Sequence, residues 1–205
     1  MFRYKGITWL EYWKLRRIAR KVRSGVVPEG VDPETILRAM KLTRPKNMLE
    51  MLGLLSAKVQ RKDGTFKDYG LVSVKSVTTV FAEYLVDIMT SSGEPTTGAM
   101  DEFHFHKMGA GSTAEADDDT TLVTPQAGAQ TGTDGAAACT HGAQSSIYVT
   151  IGTLTAGSAY GCREHGVFNA STGGTLLDRS VVTNIELAEE DVVTWTYSLT
   201  ITPGG

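Results

Sequence analysis

The run from Asp191 to Ile201 is the strongest constraint on the fold, because Val193, Trp195, Tyr197, Leu199 and Ile201 recur at every second position. Successive side chains of an extended chain point to opposite faces, so these five share one face and predict a strand half-buried on an apolar core. Ser146 to Leu154, Cys162 to Asn169 and Thr175 to Val182 read as three more strands. No helical period interrupts this half of the chain, which leaves an antiparallel sandwich or barrel as the packing solution. Residues 109–144, dominated by Gly, Ala, Thr, Ser and Asp, read as a long loop with little core.

Upstream the pattern is mixed. Leu54 to Gln60 and Thr65 to Val72 flank Lys62-Asp63-Gly64. Asp-Gly between two alternating runs predicts a hairpin, because glycine accepts the positive φ of its turn. Thr78 or Thr79 then caps a helix at about 78–91, in which Phe81, Tyr84, Leu85, Ile88 and Met89 line one apolar face. Phe103-His104-Phe105-His106 alternates as a short strand.

The first fifty residues are of another kind. Thr8 and Glu11 have the spacing of a capping box, and the helix they open runs to Arg23 before Ser24-Gly25 stops it. Trp9, Tyr12, Trp13, Ile18, Ala19 and Val22 fall roughly on one face, with Lys14, Arg16, Arg17, Arg20, Lys21 and Arg23 over much of the rest. Asp32 as cap and Pro33 at the first helical position open a second helix through Ile36, Leu37 and Met40, which ends before Arg44-Pro45. Both helices offer little apolar surface of their own, so residues 1–47 read as a basic arm that docks elsewhere. Residues 52–205 read as the domain. The expected fold class is α+β: an N-terminal helical arm followed by a mainly antiparallel β-sandwich or barrel-like domain with one packed helix. Removing residues 1–47 is expected to leave that domain folded.

The net charge of −3 conceals an asymmetry. Residues 1–50 hold twelve Lys/Arg against five Asp/Glu, a net of +7, whereas residues 111–205 hold two against eleven, a net of −9. Opposite ends of one subunit can then attract between copies, and the positive end can alternatively meet nucleic acid. No apolar run approaches the roughly 18 residues that span a bilayer, and the start of the chain carries no secretory pattern. Two cysteines, Cys139 and Cys162, make no disulfide framework and read as reduced thiols.

The stretch Gly166-Val167-Phe168-Asn169-Ala170-Ser171-Thr172-Gly173-Gly174-Thr175-Leu176-Leu177-Asp178-Arg179-Ser180 resembles a recurrent segment of structural proteins of tailed bacteriophages. In those proteins a strand, a Gly-Gly turn and a second strand precede a final one like Val192-Val193-Thr194-Trp195-Thr196. Gly109 to Ala116, Lys62 to Thr65 and Val77 to Thr79 are similar to segments of the same proteins. The resemblance covers roughly residues 52–205 and leaves the basic arm outside it. It implies a virion component of the capsid surface, neck or tail, assembled in the host cytoplasm, and carries over no catalytic residue.

Other chemistries fit the residues less well. His104 and His106 fall on one strand face, but Cys162 and His165, three apart, point to opposite faces, and no zinc spacing results. Gly109-Ala110-Gly111-Ser112-Thr113-Ala114 imitates a dinucleotide fingerprint, yet Asp117, Asp118 and Asp119 follow where a phosphate-binding helix is needed. Glu115 with those aspartates lacks the glycine and distant glutamate of a calcium loop, and reads as a solvated loop or a docking patch for a neighbour's arginines. Glu164 and His165 are adjacent on a strand and so face opposite ways, and no nucleophile elbow occurs. The expectation is a non-enzymatic protein without cofactor or metal.

The basic helix is the candidate partner-binding element, through Trp9, Trp13, Arg16, Arg17, Ile18, Arg20, Lys21 and Arg23. Trp and Arg are favoured anchors of protein interfaces, and half of this helix is aromatic or aliphatic, which phosphate binding does not require. The expected partners are copies of the chain and other virion proteins, as a capsid decoration or cement subunit or an allied neck or tail component. One alternative is a virion protein whose basic helix lies on packaged genome, and another is a helix satisfied locally as a cap on its own β domain. A membrane surface is not an expected partner.

Overall fold

The computed structural model describes residues 3–4, 7–24, 26–43, 50–90, 103–126, 130–131, 140–141 and 147–202. Strands β1 (Arg3–Tyr4) and β2 (Ile7–Thr8) pair as a short ribbon ahead of helices α1 (Trp9–Arg23) and α2 (Pro33–Thr43). Strands β3 (Glu50–Gln60) and β4 (Phe66–Lys75) form the hairpin expected around Asp63-Gly64, with Gly64 at φ 83°. Helix α3 (Thr79–Thr90) and strand β5 (Phe105–Gly109) follow. Strands β6 (Gln130–Thr131) and β7 (Thr140–His141) are short, and β8 (Ile147–Ala156), β9 (Tyr160–Phe168), β10 (Leu176–Leu187) and β11 (Val192–Thr202) realise the four expected strands.

Two antiparallel sheets result. One has the order β4-β3-β11-β8-β6, with β7 also on β8, and the other has the order β10-β9-β5. The architecture is therefore α+β and sandwich-like, without the closure of a barrel. Leu55, Ala57 and Val59 of β3 and Val193, Trp195, Tyr197 and Leu199 of β11 face Met108, Cys162, Val167, Leu177 and Ile185 of the smaller sheet across the main core. Helix α3 adds Phe81 and Tyr84, which close on Phe103 edge-to-face at 5.1 and 5.0 Å between centroids. Its cap is Thr78, whose Oγ1 accepts from the Phe81 amide and donates to the Leu176 carbonyl, fixing the helix to β10.

The other face of the larger sheet is covered by the N-terminal helices. Leu15, Ala19 and Val22 of α1 and Ile36, Ala39 and Met40 of α2 are buried with Leu52, Leu54 and Val74 in a second core. Alanines at 19 and 39 let the helices approach closely, and Glu11 receives a 2.8 Å hydrogen bond from Arg38 across them. The helices thus carry an apolar stripe that their own sheet occupies, contrary to the expectation of a free arm. Removal of the two helices would uncover Leu52, Leu54 and Val74. Thr8 caps α1 by accepting from the Glu11 amide at 3.2 Å, and the Glu11 carboxylate, committed to Arg38, makes only half of the expected box.

The outer face of the smaller sheet is covered by residues 110–126, which therefore have a core role that their composition did not show. Leu122 packs with Phe168 and Leu176. Beneath this segment the fully buried Glu164 accepts hydrogen bonds from the amides of Gly111, Val123 and Thr124 at 3.0, 3.0 and 2.6 Å. Arg179 reaches the same carboxylate through Nε at 3.0 Å and Nη2 at 2.9 Å. From Glu164 to Phe168 strand β9 is buried on both faces.

Strand β4 is an edge strand, and its pairing with β3 shifts register at Leu55/Ser56 and again at Ala57/Lys58. Gly70 lies there at φ 62°, a left-handed conformation that glycine adopts without steric cost, and its amide donates to Asp68 Oδ1 at 2.7 Å.

Candidate docking surface on the first helix

Helix α1 runs over the second core with its inward line at Leu15, Ala19 and Val22. With 3.6 residues per turn, Trp9, Trp13, Arg16 and Arg20 form one outward line, and Leu10, Lys14, Arg17 and Lys21 form a second beside it. Trp9 is 54% exposed, Trp13 46% and Leu10 81%, and the cations of both lines are exposed. Trp9 stacks on Tyr12 at 5.6 Å and 11°, and Trp13 meets both rings edge-on at 6.0 and 6.2 Å. The Arg16 guanidinium sits 4.9 Å from the Trp13 ring centroid, a geometry in which the ring face attracts the cation. The aromatic ridge is therefore ordered before any partner arrives.

The expected docking residues divide in two. Trp9, Trp13, Arg16, Arg17, Arg20 and Lys21 share the outward surface. Ile18 is half-buried against the second core, on the side of α1 away from the tryptophans. Arg23 is exposed, and its Nη1 donates to Thr43 Oγ1 of α2 at 3.2 Å. Arg20, Lys21 and Arg23 also stand in the last turn, where cations offset the helix dipole. Arg16 and Arg17, one turn earlier, are less involved in that role. Among the described residues Arg17, Arg20 and Lys21 form no ion pair. Leu10 was not singled out from the sequence, although its position beside the tryptophan line was available there.

The other constellations fold into the interior. His104 and His106 do not share a strand face: His104 lies in the turn before β5 and stacks on Phe105 at 4.5 Å, whereas His106 is buried in the main core. His106 Nδ1 lies 2.9 Å from His165 Nε2, and His106 Nε2 lies 3.2 Å from Thr150 Oγ1. His165 Nδ1 has no hydrogen-bond partner among the described residues, and one proton on each ring suffices for the chain of contacts from His165 through His106 to Thr150. Desolvation lowers both histidines, His106 to about 3 and His165 well below its ordinary value, so both are neutral. The His165 ring tilts against Trp195 at 4.6 Å. A Cβ on Gly152 would overlap the His106 imidazole, so the glycine makes room for this pair.

Asp178 is also buried in the core. It accepts from Ser180 Oγ at 2.8 Å and from the Tyr197 hydroxyl at 3.3 Å, and desolvation pushes it up to about 6. Burial raises the Cys162 thiol to about 12, which makes it unreactive. Cys139 lies outside the described residues.

Two acids of the acidic segment, Glu115 and Asp119, are used at home, whereas Asp117 and Asp118 are exposed as expected. Lys75 Nζ meets Glu115 at 3.1 Å, Arg179 Nη1 meets Asp119 at 3.0 Å, and Glu115 also accepts from the Val181 amide. No group of three His, Cys, Asp or Glu side chains suited to a metal occurs among the described residues. Within the described residues no helix is long and apolar enough to cross a membrane. No family model matches the chain, and no curated protein or solved structure matches it either.

Proposed function

We propose that the chain is a non-enzymatic structural subunit of a tailed-phage particle, attached to capsid, neck or tail through the outward face of α1. The exposure of Trp9 and Trp13 on a helix already anchored from its other side carries this reading. A surface aromatic ridge gains about 25 cal/mol for each Å² of apolar area removed from water, before ordering costs. The ordering cost is small here, because the rings already pack on one another and α1 is fixed to the sheet. The sandwich is the rigid body that presents the ridge. His106, His165, Asp178, Cys162 and Tyr197, which burial shifts, all lie in the interior. The phage assignment itself rests on the resemblance of residues 52–205.

Incorporation into particles tests the reading directly. Particles assembled with Trp13→Ala or Arg16→Ala/Arg17→Ala chains are expected to lose the subunit, as quantified by mass spectrometry of purified particles. The same chains should keep the circular dichroism and melting temperature of the parent. Normal occupancy by such folded variants would remove α1 as the attachment surface.

A further inference from the structure

Resting on the docking role proposed above for α1, we infer that a second copy of this chain covers its outward face, using the surface that α3 forms with residues 117–123. Helix α3 contains no Lys or Arg, and neither does the segment 110–126 beside it. The Thr79 amide donates to the Asp117 carbonyl at 2.8 Å, and Val80 packs on the cluster of Leu122, so helix and segment make one surface. Glu83, Asp117 and Asp118 are exposed there and form no ion pair among the described residues. Val86 is 57% exposed and Val123 53%. Lys75 and Arg179, which reach the segment, are already taken by Glu115, Asp119 and Glu164. Other unpaired acids stand among cations. Asp63 and Asp68 share their hairpin with Lys58, Lys62 and Lys67. Glu186 and Glu189 flank the turn that Arg61 and Lys62 hold, and Glu34 has Arg38 one turn on in α2.

Charge and apolar exposure on α1 thus both find their complement within the same chain. The helix carries six cations against Glu11 alone, and its outward line passes from Trp9 and Trp13 to Arg16 and Arg20. The α3 surface runs in the opposite sense, from Asp117 and Asp118 at the start of the helix, through Glu83, to Val86. Both helices rise about 1.5 Å per residue, so an antiparallel arrangement keeps one register along the contact. With Trp13 opposite Val86, Arg16 stands opposite Glu83 and Arg20 opposite Thr79, whose amide holds Asp117. Arg23 and Asp117 border one cleft, so the two surfaces adjoin on each molecule. A two-fold axis can then lay α1 of each copy on α3 of the other. Nucleic acid would answer the cations but leaves Leu10, 81% exposed beside the tryptophans, without an apolar partner.

Charge exchange between the two surfaces tests this on the full chain. Sedimentation over a range of concentrations is expected to show self-association that rising salt weakens. Arg16→Glu/Arg17→Glu and Glu83→Arg/Asp118→Arg should each raise the dissociation constant about tenfold or more, while keeping the circular dichroism and melting temperature of the parent. Mixed in equal amounts, the two variants should associate again, because each then offers the charge that the other has lost. A parent chain that is monomeric at every concentration would overturn the inference, as would a mixture of the variants that stays monomeric. A monomeric parent that binds a single-stranded oligonucleotide, with affinity falling linearly in log salt, would assign α1 to nucleic acid instead. Particles separate this outcome from the reading on which it rests. Normal entry of Glu83→Arg/Asp118→Arg chains, with loss of Trp13→Ala chains, would place a different virion protein on α1 and overturn the inference alone. Normal entry of the folded Trp13→Ala and Arg16→Ala/Arg17→Ala chains would remove both proposals together.

Discussion

Acidification from pH 6.5 to about 4.5 sets buried groups of opposite sign against one another. His106 titrates near 6.5 when unfolded and at about 3 in the fold. A lowered histidine costs stability as pH falls below the unfolded value, because the unfolded chain takes up a proton that the native chain refuses. Between pH 6.5, where the unfolded imidazole is half protonated, and pH 4.5 that loss integrates to about 2.3 kcal/mol, and His165 adds to it in the same direction. Asp178 does the reverse. Its folded value of about 6 lies above the unfolded 3.8, so its burial costs most above pH 6, and that cost is relieved as the carboxyl is protonated. Relief by pH 4.5 amounts to about 2 kcal/mol. The parent protein should therefore lose about 0.5 kcal/mol plus the His165 contribution. Asp178→Asn, which removes the compensating group, should lose about 2.3 kcal/mol plus the same contribution. Urea unfolding followed by tryptophan fluorescence at a series of pH values measures both. An Asp178→Asn variant whose stability stays flat between pH 6.5 and 4.5 would refute the buried, neutral histidine pair.

Three further outcomes are expected. Glu164→Ala leaves Arg179 and three amides without their acceptor, and should cost at least about 3–5 kcal/mol. Hydrogen exchange should then show early loss of protection at Gly111, Val123 and Thr124. Gly152→Ala drives a methyl into the His106 ring and should cost about 1–3 kcal/mol in thermal or urea unfolding. Deletion of residues 1–47 returns Leu52, Leu54 and Val74 to water, at about 1.5–3 kcal/mol for each side chain. Increased aggregation and dye binding are expected on light scattering and fluorescence, and a deletion chain as soluble and stable as the parent would contradict the shared second core.

Local signals proved readable because their causes are local. Asp63-Gly64 sets its own turn, Thr8 and Asp32 cap the helices that follow them, and the alternation of β11 marks the face that lands on the core. What the sequence concealed depends on residues far apart in it. Glu164 and His165 were correctly placed on opposite faces of a strand, but both faces of β9 are buried, since residues 110–126 fold over the outer one. Asp119 looked solvated because its cation, Arg179, stands sixty residues away. On α1 Ala19 and Val22 were placed on one face with the tryptophans, whereas with Leu15, which was not singled out, they seat the helix on the sheet and leave Trp9 and Trp13 exposed. Ile18 was grouped with the tryptophans, although it and the inward line turn to the sheet and leave them on the far side. Large aromatic residues dominate a hydrophobic pattern by size, whereas close helix packing is set by the small ones.

The irregular margin of β4 bears on how copies of the chain avoid pairing with one another. A straight outer strand would offer neighbouring molecules a template for backbone pairing, along which copies could zip together. The twofold slip opposite β3 and the left-handed Gly70 interrupt that template near the middle of the strand. Association is thereby steered away from the main chain and left to side chains, which can discriminate between neighbours in a way that a bare peptide ladder cannot.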